Sequence, residues 1–190
     1  MEIFIISLIS YLMGSIPFGF LLTKFFLKKD IRDIGSGNIG ATNALRTGNK
    51  FIGYTTLFFD IIKAVIPVVY AKINFPEVIY IVSLCTFLGH VFPIWLKFKG
   101  GKGVATYVGI LFAINIYLGL VFLVSWFITF SISKFSSLSS LVASISIPIY
   151  LLILTQFDQV VFFSIMFILI FLQSFGQNYQ VQNLLEEFNQ

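Results

Sequence analysis

The chain has 190 residues, of which 58% are hydrophobic and only 11% are charged, and its formal net charge is +4. A soluble domain is about half apolar and about one quarter charged, so this composition excludes an ordinary soluble enzyme. The single cysteine, Cys85, excludes a disulfide within the chain and a cluster of thiolate metal ligands.

Long apolar runs alternate with short polar segments along the whole chain. A helix that crosses a membrane needs about 20 apolar residues, and on this basis spans are predicted at about 3–23, 51–71, 77–96, 104–114, 117–133, 138–155 and 159–175. The run 104–133 is divided because about 30 helical residues would reach about 45 Å, and Asn115 and Gly119 interrupt it. Six spans are the alternative count. The predicted fold is an all-α transmembrane bundle of about seven spans.

The lysines and arginines set the predicted orientation, since cytoplasmic segments are rich in both. With the N-terminus outside and seven spans, ten of the twelve basic residues fall in the cytoplasm: Lys24, Lys28, Lys29, Arg32, Arg46, Lys50, Lys97, Lys99, Lys102 and Lys134. Residues 1–175 are then one membrane domain, and 176–190 a cytoplasmic tail. Topology and anionic lipid headgroups account for the net charge, so no nucleic-acid partner is expected.

The segment Lys97-Phe98-Lys99-Gly100-Gly101-Lys102-Gly103, here called the glycine loop, is the sharpest local signal. Glycines allow backbone N–H groups to turn toward an anion, lysines add charge, and a helix predicted after Gly103 favours a phosphate at its N-terminus. The spacing is not that of a nucleotide-binding P-loop. A basic turn that merely contains glycines is the alternative.

A second polar segment is predicted on the same face: Gly35-Ser36-Gly37-Asn38-Ile39-Gly40-Ala41-Thr42-Asn43, followed by Arg46. Residues 35–46 are called the polar loop. Its small donors and acceptors suit a phosphate or a glycerol moiety, and a guanidinium suits bidentate phosphate contact. The alternative is a flexible connection, which two such loops on one face make less attractive.

Three ionisable residues lie inside predicted spans. Asp60 and Lys63 are three residues apart and therefore share one helix face, so mutual neutralisation is as good an explanation as a functional site. His90, the only histidine, stands shortly before the glycine loop. It could serve a bound phosphate or simply fill a hydrogen-bonded position, and without further metal-ligand residues beside it no metal is expected.

Taken together, these motifs resemble the bacterial acyl-phosphate-dependent glycerol-3-phosphate acyltransferases, integral membrane enzymes of the PlsY type. The resemblance covers about residues 1–170 and rests on four stretches in the family's order: Gly14-Ser15-Ile16-Pro17-Phe18-Gly19, Gly35 to Asn43, Asp60-Ile61-Ile62-Lys63-Ala64, and Gly89-His90-Val91-Phe92-Pro93 running into Phe98 to Thr106.

The resemblance implies a seven-span fold with its site open to the cytoplasm. It also implies acyl transfer from acyl phosphate to the 1-hydroxyl of glycerol 3-phosphate, giving lysophosphatidic acid and phosphate, without a cofactor. His90, Ser36 and Lys102 are the candidate catalytic residues. The residues implied in substrate binding are Gly37, Asn38, Thr42, Asn43, Arg46, Lys63, Lys99, Gly100, Gly101 and Gly103. Membrane lipids and an enzyme that makes acyl phosphate are the implied partners.

The resemblance ends in the tail. The family pattern there is His-Arg-x-Asn-Ile-x-Arg-Leu, whereas this chain reads Gln177-Asn178-Tyr179-Gln180-Val181-Gln182-Asn183-Leu184. Loss of these basic residues would remove charge from a site for two phosphates. A relative that binds phosphate or lipid without turnover is therefore a second hypothesis. A transporter of a phosphorylated solute is the third, although no inverted repeat is evident.

Overall fold

The computed structural model describes the backbone of residues 1–188 and the side chains of residues 1–176. Within this part of the chain every regular element is helical, which confirms the predicted all-α class. The α-helices are α1 (Glu2–Ser15), α2 (Phe18–Leu27), α3 (Ala41–Leu45), α4 (Lys50–Asn74), α5 (Ile79–Val91), α6 (Val104–Ile114), α7 (Ile116–Ser133), α8 (Ser136–Ile153) and α9 (Phe157–Phe188). Short 3₁₀ turns lie at Ile31–Asp33, Pro76–Val78 and Ile94–Leu96.

Six helical segments among the described residues are long and apolar enough to cross a membrane, and α6 is a shorter apolar helix. The predicted break after residue 114 is confirmed. Asn115 is extended, and its side chain accepts a hydrogen bond from the backbone N–H of Tyr117 at the start of α7. The Lys72 ammonium, near the end of α4, donates to the carbonyls of Ala113 and Ile114. Helices α4 and α6 therefore end side by side, while the count of seven crossings stays a prediction.

The first span is not the continuous helix predicted over about 3–23. It breaks between α1 and α2, where Ile16 is extended and Pro17 follows. Proline lacks a backbone N–H and disfavours helical geometry in the residue before it, which explains the break. The carbonyl of Ile16 is thereby available to the Lys63 ammonium, which donates to it at 2.8 Å. The broken first span thus becomes part of the site.

Helices α1 and α5 approach closely through glycines. A Cβ on Gly14 would overlap the backbone of Thr86, and one on Gly89 would overlap the backbone of Tyr11 and Ser15. Such small-residue contacts bring helix backbones together where lipid offers no hydrophobic driving force. The Tyr11 hydroxyl also donates to the carbonyl of Phe92 at 2.7 Å. These contacts fix the end of α5, where the glycine loop begins.

The core around the site is made by α4, α5 and α6, with Phe87 and Tyr107 fully buried, and α8 and α9 pack behind it. Helix α9 contains an apolar stretch, Phe157–Gly176, that is long enough to cross a membrane, and its backbone continues as helix to Phe188. The predicted division into a membrane domain and a tail stays a prediction, since the tail's side chains lie outside the described residues.

Candidate active site

The glycine loop folds back over the end of α5. The N–H of Gly100 donates to the carbonyl of Val91 at 3.1 Å, and the N–H of Gly101 donates to the carbonyl of His90 at 3.2 Å. A Cβ on Gly100 would overlap both carbonyls, and one on Gly101 would overlap the imidazole of His90. Gly103 has φ +85° and precedes α6 directly, as predicted. Glycine is therefore needed at these positions for close approach and for backbone conformation.

The lysines of this loop differ in their surroundings. Lys99 is exposed, whereas Lys102 is half-buried and its ammonium donates to the Ser137 hydroxyl at 3.3 Å. Burial lowers the pKa of Lys102 below its usual value, and the neighbouring positive charge of Arg46 lowers it further. Two like charges, one from each loop, therefore interact, and an anion between them would stabilise both.

The polar loop is organised by the buried amide of Asn43. Its nitrogen donates to the carbonyls of Ile31, Ile34 and Asn38 at 2.8–3.0 Å, and its oxygen accepts from the N–H of Ser36 at 3.0 Å. One side chain thus satisfies four backbone groups in a segment with little regular structure. This geometry gives Asn43 a structural role. The predicted contact of Asn43 with substrate stays a prediction.

The remaining residues of the polar loop lie around this amide. Asn38 is buried, and its side-chain oxygen accepts from the N–H of Gly40 at 2.7 Å. Gly37 adopts φ +69°, which turns the chain. Ser36 is partly exposed, and Thr42 and Arg46 are exposed. The exposed members can therefore face a solute, while the buried ones shape the loop.

A buried cluster of ionisable groups lies beneath the glycine loop. The Lys63 ammonium is 2.8 Å from a carboxylate oxygen of Asp60 and 2.9 Å from Nδ1 of His90. These side chains are 1–3% exposed, and the same carboxylate oxygen is 3.7 Å from Nδ1 of His90. The expected pairing of Asp60 with Lys63 is confirmed. The pair is also joined to the histidine, a link that spacing along the chain does not reveal.

The structure therefore makes two connections between sequence-predicted site residues. The charge of Arg46 in the polar loop acts on Lys102, and the His90 imidazole lies between the ion pair and Gly101. Sequence reasoning missed Ser137 at the start of α8, although four of the five residues 136–140 are serines, which is a visible signal. It also missed the Ile16 carbonyl, because no local pattern assigns a backbone oxygen to a distant lysine.

Comparison with known proteins identifies the fold and the family together. A family model described as glycerol-3-phosphate acyltransferase matches residues 4–185. The chain belongs to this family. A glycerol-3-phosphate acyltransferase of Pelagibacter ubique (strain HTCC1062) is 71% identical over 171 residues, covering 90% of this chain and 89% of the relative. The enzyme of Bartonella henselae is 50% identical over 151 residues, covering 77% of this chain and 72% of that one.

Two crystal structures of PlsY (YgiH), an integral membrane glycerol 3-phosphate acyltransferase, have the same fold. The glycerol 3-phosphate form superposes with a TM-score of 0.88 and the lysophosphatidic acid form with 0.84, both at 31% identity. Each covers 98% of this chain, and this chain covers 94% and 93% of them. The expected membrane acyltransferase of phospholipid synthesis is confirmed, and the catalytically impaired relative is not favoured.

Proposed function

We propose that this enzyme transfers the acyl group of an acyl phosphate to the 1-hydroxyl of glycerol 3-phosphate, at a site open to the cytoplasm in the bacterial inner membrane. The products are lysophosphatidic acid and inorganic phosphate. The family and the glycerol 3-phosphate form of a structural relative support the acceptor. The distribution of lysine and arginine supports a cytoplasmic position for both loops.

Two observations support the proposal: the chain belongs to the glycerol-3-phosphate acyltransferase family, and the positive charge of Arg46 lowers the pKa of Lys102, which burial also lowers. Two cations from separate loops whose charges interact would be stabilised by an anionic ligand between them. We assign them to the phosphate of glycerol 3-phosphate, with Ser36 and Thr42 beside its hydroxyls. In this arrangement Asn38, Asn43 and Gly37 maintain the shape of the polar loop.

The glycine loop is assigned to the phosphate of the acyl donor. Gly100, Gly101 and Gly103 keep side chains away from the backbone, and Lys99 supplies positive charge. Acyl phosphate already carries a good leaving group, so the protein needs chiefly to position two substrates and to stabilise the departing phosphate. Because acyl phosphate is an activated acyl donor, an enzyme that makes it must supply the substrate.

The bond changes are simple. The 1-hydroxyl oxygen of glycerol 3-phosphate forms a bond with the acyl carbon, and the bond from that carbon to the phosphate oxygen breaks. The hydroxyl proton leaves with the phosphate or passes to His90. Both fates are compatible with the reaction, and they differ in the role given to the histidine.

An apolar groove beside the glycine loop suits the acyl chain. It has a volume of about 430 Å³ and runs between α1 and α5, where Phe4, Leu8, Leu88, Phe92 and Phe98 contribute to its walls. Phe92 and Phe98 place one end of the groove at the loop, so a chain in it would present its phosphate to the glycines. Because lipid is as apolar as these walls, the groove would position the chain by close packing and not by a hydrophobic driving force.

The test is turnover by the purified chain in lipid nanodiscs. Acyl phosphate and glycerol 3-phosphate should give lysophosphatidic acid and phosphate in equal amounts, whereas acyl-CoA in place of acyl phosphate should give none. Lys102→Met should abolish most of the turnover. Lys72→Met, which removes a lysine from the far end of α4, is the matched control and should retain it. Product from acyl-CoA alone would contradict the proposed donor.

A further inference from the structure

His90 makes its hydrogen bonds in a way that determines which ring nitrogen carries the proton. Its Nδ1 lies 2.9 Å from the ammonium of Lys63, inside a cluster that is 1–3% exposed. The same ammonium donates to the carbonyl of Ile16 and forms an ion pair with a carboxylate oxygen of Asp60, both at 2.8 Å. Three partners therefore surround the three N–H bonds of Lys63.

An ammonium has three donors and no acceptor. Paired with the Asp60 carboxylate, Lys63 is charged, so Nδ1 of His90 has to accept a hydrogen bond from it. A neutral imidazole that accepts at Nδ1 carries its proton on Nε2. The cluster thus makes Nε2–H a donor and leaves that nitrogen without a lone pair for taking up a proton.

The opposite edge of the ring faces the glycine loop. Nε2 lies where a side chain on Gly101 would stand, and this is the reason that a Cβ there would overlap it. Among the residues whose side chains the structure describes, no protein acceptor binds Nε2. An N–H donor with no protein acceptor among these residues can bind a ligand. Its direction into a glycine-lined, lysine-bearing loop indicates an anionic acceptor.

We propose that His90 is a hydrogen-bond donor, through Nε2–H, to a phosphate oxygen held by the glycine loop, and that Asp60 and Lys63 are positioning residues that fix this tautomer. The identity of that phosphate as the acyl donor's rests on the proposed function. His90 then neutralises developing charge on the departing phosphate. The hydroxyl proton of glycerol 3-phosphate goes to the phosphate and not to the histidine.

The single histidine makes a direct measurement possible. The protein is labelled with ¹⁵N-histidine, purified through a tag that contains no histidine, and observed by NMR in nanodiscs at neutral pH. The expected spectrum is that of the Nε2–H tautomer, and saturating inorganic phosphate should shift the Nε2 resonance with a single saturable curve. The proposal would be overturned by an Nδ1–H tautomer, by an imidazolium, or by an Nε2 resonance that does not shift when phosphate is added.

Substitution of the lysine tests the positioning role. In Lys63→Met the Asp60 carboxylate becomes the nearest partner of Nδ1, so the proton should move to Nδ1. In Lys63→Gln the amide can still donate, and the Nε2–H tautomer should persist. Lys72→Met on the same helix is the control and should leave the spectrum unchanged. A Lys63→Met protein that keeps the Nε2–H tautomer would show that Lys63 does not set it.

Kinetic measurements distinguish a hydrogen-bond donor from a general base at His90. The amide of His90→Gln can place an N–H near the position of Nε2 but cannot act as a base. We expect His90→Gln to keep kcat within about 10-fold of the parent, and His90→Ala to lose on the order of 100-fold. Equal losses in both variants would contradict the donor role. A chain that shows the expected spectra but no turnover would refute the proposed function and leave this assignment of His90 intact.

Discussion

The polar loop and the glycine loop carry Arg46 and Lys102, whose positive charges interact, yet the backbones of the two loops are held in opposite ways. In the polar loop one amide, that of Asn43, satisfies four backbone groups. In the glycine loop the absence of side chains at Gly100 and Gly101 allows the backbone to lie against the end of α5. The polar loop depends on the side chain of Asn43, and the glycine loop depends on glycines, which have no side chain.

A sequence motif alone does not distinguish a structural role from a functional role equally well in the two loops. A glycine run signals close approach whatever the ligand, so its structural and functional interpretations agree. An asparagine in a polar loop looks the same whether it binds substrate or holds the chain. Among the described residues, the hydrogen bonds of the Asn43 side chain go to the backbone, and the exposed Arg46 is the stronger candidate for substrate contact.

The largest effect is expected where the glycine loop cannot accept a side chain. Gly101→Ala places a methyl group against the His90 imidazole, so loop and ring have to separate. Displacement of a binding loop by about 1 Å can cost on the order of 100-fold in activity, and we expect a loss of kcat/KM of at least that size. Gly176→Ala, where a Cβ meets nothing within 4 Å, is the control. Full activity in Gly101→Ala would show that the loop does not need its close approach.

A smaller effect, on both stability and KM, is expected in the polar loop. Asn43→Asp replaces two N–H donors with an acceptor that faces three carbonyls, so their hydrogen bonds from Asn43 are lost and oxygen faces oxygen, at a cost of about 1–3 kcal/mol. The midpoint of thermal unfolding in detergent should fall, and KM for glycerol 3-phosphate should rise about 10-fold. Asn74→Ala, which removes only an exposed bond to the carbonyl of Tyr70, should change neither. An unchanged midpoint with a raised KM would instead favour direct substrate contact by Asn43.

The junction of the loops should be sensitive to pH. Since burial and Arg46 lower the pKa of Lys102, its charge is present below that lowered pKa and is lost at a lower pH than for an exposed lysine. Affinity for glycerol 3-phosphate should therefore weaken as pH rises through this lowered pKa. Lys102→Arg, whose guanidinium stays charged, should shift the weakening to higher pH, and Lys24→Arg should leave the profile unaltered. Identical profiles in all three proteins would contradict a phosphate contact by Lys102.

The smallest effect is expected outside both loops, at the exposed pair of Asp30 and Arg32. The hydrogen bond from Arg32 lowers the pKa of Asp30 below its usual 3.8. The pair therefore contributes stability above about pH 4 and loses it as pH falls through the lowered value. Asp30→Asn should reduce stability by less than about 1 kcal/mol at pH 7 and leave activity unchanged. A large loss of activity would extend the site to the start of the polar loop.

Local features of the fold were predictable from the sequence, and long-range ones were not. Apolar runs located the helices, the polar Asn115 located the break between α6 and α7, and three-residue spacing paired Asp60 with Lys63. The break at Pro17 was missed because a uniformly apolar run conceals it. The pairing of Lys63 with the Ile16 carbonyl, and of Arg46 with Lys102, depends on tertiary packing, which no local periodicity encodes.

The central claim is that Arg46 and Lys102, from different loops, hold one phosphate. A double-mutant cycle with Arg46→Met and Lys102→Met, scored by the calorimetric Kd for glycerol 3-phosphate, tests it without requiring turnover. Residues that share one ligand should be coupled by about 0.5–3 kcal/mol, so the second substitution should cost less than the first. Additive losses would mean that the two cations act on separate anions, and the two loops would not form one site.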